Sequence, residues 1–461
     1  MNGQVLTRRG FLRVFAVTMA GISAAALSSC AQGTPAPSTA TAVPAEGGTP
    51  PPAAAEKVSL RFWSHSNPAF VQANEELIKR YAERRPEVEI KYEYFPYSEF
   101  IQTIQTSMAA KSEADVMEMF GSWVQSYAKG GTLAVTPDDI VTVPQAHELF
   151  YAAPLDGYMW EGKLYGLPNE YNLENGGVLT NRRMFEEAQL PYPPDWKAWE
   201  ELVSDAKKLV KYDGEVMTVA GFHYITGDGL GFLFWEGILE RGGDYFAADK
   251  IHLNLASPEA EETVQWLVDM ATKDKVVDPF TFNLESNWVG DAFFQSLVAI
   301  GYIGPWIVPV ARINHPDFAD PWDYVSCPHY GEKMSFAADS GWGKVVSPNS
   351  KAQRQAWEFA QFSTMDETNA RFWNVTTGTV PALKKVAEDP TLLQDMDWLG
   401  PSLKVLPYGR YVGYLHDRDF IWYNVIATRL VETMQGQHTV KECITIMNEE
   451  ANAMIDSKIK G

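Results

Sequence analysis

The residues able to do covalent or metal chemistry are scattered along this chain. Its eight histidines form no His-x-x-x-His pair and no Cys-x-x-Cys occurs, so no transition-metal site is expected. A Gly-x-x-x-x-Gly-Lys-Ser/Thr phosphate loop and a Gly-x-Ser-x-Gly nucleophile elbow are both missing. Gly227-Asp228-Gly229-Leu230-Gly231 lacks the spacing and the downstream acid of a dinucleotide loop. No cofactor and no catalytic residue is expected. Carboxylates are plentiful, and a glycosidase needs only two of them, about 5–9.5 Å apart, so an enzyme of that kind stays open. Asp417-x-Asp419 reads more simply as a solvated turn. What stands out instead is rings: 15 Trp, 20 Tyr and 23 Phe in 461 residues. Rings in that number belong in a core or on a binding surface.

The elements that must position these residues begin at Val58. Val58–Trp63 alternates with period two, as a half-buried strand does. Phe70, Asn74, Leu77, Ile78 and Tyr81 mark one helix face, closed by Pro86. A second strand over Val88–Tyr94, a helix with Ile101, Ile104 and Met108, and a third strand over Ala114–Phe120 complete a β-α-β-α-β run, the pattern of an α/β domain with mostly parallel sheet. Ligands sit at the carboxyl ends of such strands, which singles out Trp63–Ser66 and Phe120–Trp123. Asp195 is expected to cap a helix burying Trp199, Leu202, Val203, Ala206 and Leu209; Ser257-Pro258 opens another. Trp199, Trp266 and Trp357 fall on apolar helix faces and read as core, and Trp63 packs more naturally under its strand.

With 59 acidic against 38 basic residues the formal charge is −21, which argues against nucleic acid as a partner. Residues 1–29 read as a signal peptide: Arg8, Arg9 and Arg13 precede an uncharged run from Val14 to Leu27, too short to span a bilayer. Leu27-Ser28-Ser29-Cys30 resembles a bacterial lipobox, implying a lipid on Cys30, and Arg8-Arg9 with Phe11-Leu12 resembles a twin-arginine signal, with an ordinary secretory signal as the alternative. Removing residues 1–29 takes the charge to −24. Residues 30–57, rich in Pro, Ala and Thr, form a tether without a core. Cys327 and Cys443 read as buried thiols rather than a bridge.

Several ordered motifs resemble the extracytoplasmic solute-binding proteins of ABC importers, in the family that includes maltose- and oligosaccharide-binding proteins. They are Lys163–Pro168 followed by Glu174 and Leu179–Phe185, Pro193-Pro194-Asp195-Trp196, Ala299–Trp306, Ser340-Gly341-Trp342-Gly343, Thr377-Gly378 with Val380-Pro381, and Phe420–Tyr423. Together they cover essentially residues 58–461. The resemblance implies a periplasmic-binding-protein-like α/β fold of two discontinuous lobes, 58–172 plus 338–385 and 173–337 plus 386–461, with a hinge and an interlobe ligand cleft.

It also implies Trp306 and Trp422 as stacking plates and Glu174 as a sugar-binding acid. Trp123, beside Ser122, and Trp342, beside Asp339, fall in contact regions. Tyr171 and Asn172 flank the first crossing, His65 follows the first strand, and Arg410 is the main basic residue near the candidate loops. The expected protein is a lipid-anchored monomer outside the cell membrane that captures a carbohydrate, without turnover, for ABC permease subunits. A polyamine or a glycerophosphodiester as ligand, and a surface-anchored glycosidase or lyase, are the alternatives.

Overall fold

The computed structural model describes residues 57–460 except 173, 175, 225–226, 281–288 and 330–334. The signal, Cys30 and the tether up to residue 56 lie outside the described residues.

The first lobe is built in the order foreseen through β1 (Val58–His65), α1 (Pro68–Arg84), β2 (Val88–Phe95), α2 (Tyr97–Ala110) and β3 (Val116–Phe120), and the structure adds α3 (Gly121–Lys129) directly after it. β1 pairs in parallel with both β2 and β3. The alternation expected of β1 holds only in its first half; from Phe62 to His65 every residue is buried, because strands flank it on both sides and helices cover the sheet. Asn67 caps α1 by accepting from Ala69 and Phe70 N–H, and Phe70, Asn74, Leu77 and Tyr81 face inward.

The chain then runs through two short strands, β4 (Leu167–Pro168) and β5 (Glu170–Tyr171), into the second lobe. There it forms β6 (Gly177–Asn181), α4 (Trp199–Leu209), β7 (Lys211–Asp213), β8 (Val216–Tyr224), α5 (Asp228–Glu240), α6 (Pro258–Thr272), β9 (Val298–Tyr302), α7 (Ile307–Asn314) and β10 (Trp322–Ser326). The sheet order is β10-β6-β9-β8-β7, with β8 and β9 parallel. Ser257 caps α6 as expected, its side chain accepting from Ala260 N–H at 3.1 Å. Asp195 does not cap α4: the helix starts at Trp199 behind Ala198, without a side-chain cap.

Returning, the chain adds β11 (Phe336–Ala338) and β12 (Trp342–Val346). β12 completes the first sheet in the order β2-β1-β3-β12-β4, antiparallel to β3 and β4. After α8 (Gln353–Thr364), α9 (Glu367–Thr377) and β13 (Val380–Pro381) it crosses again to β14 (Gly409–Tyr411), a π-helix over Phe420–Ala427 and α10 (Val440–Lys460). The crossings are tied to one another: β5 pairs with β13, β11 with β14, and Asn172 bridges Asp339. Trp199 and Trp357 are buried, Trp266 packs on Trp199 with ring centroids 5.0 Å apart, and Cys327 and Cys443 are free thiols.

Candidate functional site

A cleft of about 390 Å³ lies between the lobes where strand ends and crossings meet. His65 and Phe120, at the ends of β1 and β3, line it on one side with Trp342, the first residue of β12 and the register partner of Phe120. These rings pack on one another: Trp342 lies 4.2 Å from His65, 5.2 Å from Phe120 and 5.4 Å from Trp123 between centroids. Tyr97, which opens α2, stands edge-on to Trp342 at 6.2 Å. The His65 ring accepts from Asn67 N–H through Nδ1 at 3.2 Å, and burial lowers its pKa to about 3. It is therefore a neutral imidazole with its proton on Nε2.

On the other side stand Trp306, directly before α7, and a charged group centred on Arg418. The Arg418 guanidinium bonds Asp228 Oδ1 at 2.9 Å, Asp339 Oδ2 at 3.0 Å and Asp419 Oδ1 at 3.0 Å, and lies 4.0 Å above the Trp422 ring. Burial opposes its charge, but Tyr423 and the three carboxylates outweigh that, so it stays protonated. Asp228 is the first residue of α5, where a carboxylate suits the helix dipole. Its Oδ2 accepts from Tyr423 O–H at 2.8 Å.

The floor is the first crossing, β5 and the bend that follows it at Glu174. Glu174 accepts from Trp306 Nε1–H at 2.9 Å and, through its other oxygen, from Gly304 N–H. Glu170 accepts from Trp342 N–H at 3.0 Å. Two acids four residues apart thus hold the backbone or ring of the tryptophans on opposite walls. Burial, ahead of other causes, pushes Glu174 up to about 7 and Glu170 up to about 8. Among the described residues no group of three or more His, Cys, Asp or Glu is placed to hold a metal ion.

The profile of the family described as bacterial extracellular solute-binding protein matches residues 76–397. The chain belongs to that family. It is 21% identical over 344 residues to the maltotriose-binding protein of Pyrococcus abyssi, covering 72% of this chain and 68% of that one. Its fold matches an ABC substrate-binding protein from Listeria monocytogenes in complex with cycloalternan, with TM-score 0.73, 20% identity, and coverage of 87% of this chain and 99% of the other. A maltose-bound protein of T. maritima matches with TM-score 0.71, 18% identity and coverage of 86% and 99%. The two-lobed periplasmic-binding-protein-like fold is that of this chain.

Of the residues that the sequence of this solute-binding protein singled out, the structure brings His65, Asn172, Glu174, Trp306 and Trp342 to the cleft. Trp123 sits just behind Trp342 and opens on an adjoining groove of about 680 Å³ with Ser122, Tyr127 and Tyr414; its Nε1–H points to Asp419 Oδ1 at 3.4 Å.

Four expectations are corrected. Trp422 is 0% exposed and packs on Phe232 and Trp235. A Cβ on Gly231 would overlap its ring nitrogen, so its faces are spent on core and on Arg418. Tyr171 is 2% exposed, between Tyr151 and Phe336. Asp339 is buried behind Arg418 and holds that side chain instead of lining the cleft. Arg410 pairs with Asp244 at 3.2 Å on the surface, outside the cleft.

Arg418, Asp228, Glu170 and Tyr97 line the cleft without having been foreseen. Asp228 lies in the glycine-rich stretch that failed as a dinucleotide loop. Arg418 is the middle residue of the Asp417-x-Asp419 pair taken for a solvated turn. An arginine flanked by two aspartates just ahead of an aromatic run was the available signal.

Proposed function

We propose that this solute-binding protein captures a carbohydrate, an oligosaccharide in the favoured reading, by closing its lobes on it, and delivers it to the permease subunits of an ABC importer. One observation carries this reading: Trp342 and Trp306, from opposite walls, line one cleft together with hydrogen-bonding Asn172, Asp228 and Arg418. Ring faces with polar groups between them are what a sugar's alternating C–H and O–H surfaces need. The sugar ligands named for the relatives support it, and nothing in them favours a polyamine or a glycerophosphodiester. Hinge motion about the paired crossings would present different surfaces in the bound and free states. The lobes are taken as 58–172 plus 338–385 and 173–337 plus 386–461, a division that the two sheets support. The family is extracellular; anchoring through a lipid on Cys30, twin-arginine export and a monomeric state belong to the proposal, as does the absence of turnover.

Thermal unfolding in the presence of maltose, maltotriose, cycloalternan and a galactooligosaccharide tests it. Stabilisation should rise with concentration as RT ln(1 + [L]/Kd) for at least one sugar, with none from spermidine or glycerophosphocholine. Shortened saccharides found by chromatography after incubation would overturn the binding-only reading.

A further inference from the structure

Glu170 is 4% exposed and lines the cleft. Its Oε1 is committed to Trp342 N–H. Among the described residues, Oε2 has no hydrogen-bond partner. Gly341, at φ +79°, makes this approach possible: a Cβ there would come within 2.6 Å of Glu170 Cγ. The side chain is therefore pinned at one oxygen, in a cleft that Asn172 and Trp342 also line. Because Glu170 lines the cleft, a ligand there can bond the second oxygen.

We infer that Glu170 is a ligand-binding residue, and that it acts as a neutral carboxylic acid donating its O–H to an oxygen of the bound sugar. This rests on the reading of the cleft as a sugar site. The charges facing Glu170 explain why it donates and does not only accept. Glu118 comes from β3, Glu174 from the bend that follows β5 and Asp339 from the segment before β12, each disfavouring another anion. Tyr158 is buried nearby and uncharged. The cations close by are committed elsewhere: Lys344 of β12 donates to Asn169 Oδ1 at 3.0 Å and faces Glu118 across the sheet, and Arg418 is held by three aspartates. Burial comes first among the causes that raise the Glu170 carboxyl to about 8, and the Trp342 N–H only partly opposes it.

The test is calorimetric titration of the full chain, from pH 5.5 to 9.5, with whichever sugar of the panel above binds tightest. Wild type should bind with constant affinity to about pH 7.5 and then weaken roughly tenfold per pH unit above about 8. Glu170→Gln keeps a carbonyl for Trp342 N–H and places an N–H donor where the acid's O–H stood. It should bind within about threefold of wild type at pH 6 and show no loss up to pH 9.5. Glu170→Ala should lose about tenfold or more at pH 6. A folded Glu170→Gln that loses more than tenfold at pH 6 would show the carboxylate to be an acceptor and overturn the inference. So would a wild-type affinity that stays flat to pH 9.5, a result that decides the matter even if the variants fail to fold. Wild type that binds no sugar of the panel at any pH overturns the sugar reading, and this assignment with it.

Discussion

On one wall of the cleft the chain places His65, Phe120 and Trp342, rings that touch one another and carry no net charge. On the facing wall it places Trp306 beside Arg418 with Asp228, and Asp339 and Asp419 complete the ionic group. The aromatic wall holds its shape by area buried, so losing one contact costs in proportion. The ionic wall holds it by pairing, and a buried charge stripped of its partner costs far more than the pair contributes. The same cleft is thus tolerant on one side and brittle on the other.

The largest effect should come from the brittle side. Arg418→Ala leaves Asp339, fully buried, without its cation; denaturant unfolding should show a loss of about 3–5 kcal/mol. Adding Asp339→Asn should restore part of it, and a double variant no better than the single would break the contrast. Next is Trp306→Ala, which removes a half-buried ring from the cleft. Sugar affinity should fall roughly ten- to a hundredfold, about 1.4–2.8 kcal/mol, while stability changes by less than the Arg418 variant costs.

Third come the buried carboxyls of the floor and two buried histidines, His65 of the aromatic wall and His223 of β8. Glu170 and Glu174 are raised to about 8 and about 7 from an ordinary 4.5, so the native protein keeps protons that the unfolded chain releases across that window. Stability should decline as pH rises through it. His65 and His223, lowered by burial to about 3 and about 4 from 6.5, are protonated only in the unfolded chain between those values. Stability should therefore also decline as pH falls through that range. The two slopes oppose each other between about 4.5 and 6.5, and melting temperatures of the unliganded protein should form a plateau there, falling on both sides. A maximum above pH 8 would contradict the burial of these carboxyls. The smallest effect is expected of Arg410→Ala: its pair with Asp244 is surface-exposed and outside the cleft. Affinity should be unchanged and stability altered by no more than about 1 kcal/mol; a tenfold loss of affinity would return Arg410 to the site.

The aromatic wall was legible along the chain because period-two strands announce where they end, and ligands gather at those ends. His65 and Trp123 were found that way, and the motifs around Ala299–Trp306 and Ser340–Gly343 led to the other two tryptophans. The ionic wall was not legible. Asp228 and Arg418 are 190 positions apart yet share a hydrogen bond, and the one local signal, an arginine between two aspartates ahead of an aromatic run, fits a wet turn as well as a buried cation. Trp422 illustrates the opposite error: the family resemblance of Phe420–Tyr423 implies a plate, but packing on Phe232, Trp235 and Arg418 leaves it no free face.

By itself, then, the sequence determined the α/β class, the strand ends where ligand groups collect and the two rings, Trp306 and Trp342, that face the cleft. The class and the strand ends follow from local periodicity, which depends on neighbours within a few residues, and the two rings from motifs that resemble those of the solute-binding family. The tertiary structure alone decided which carboxylates are paired, which tryptophan is core and which glutamate keeps an oxygen free. Those outcomes depend on partners supplied by distant crossings, and on the loss of water that makes an unpaired charge or a bare oxygen costly.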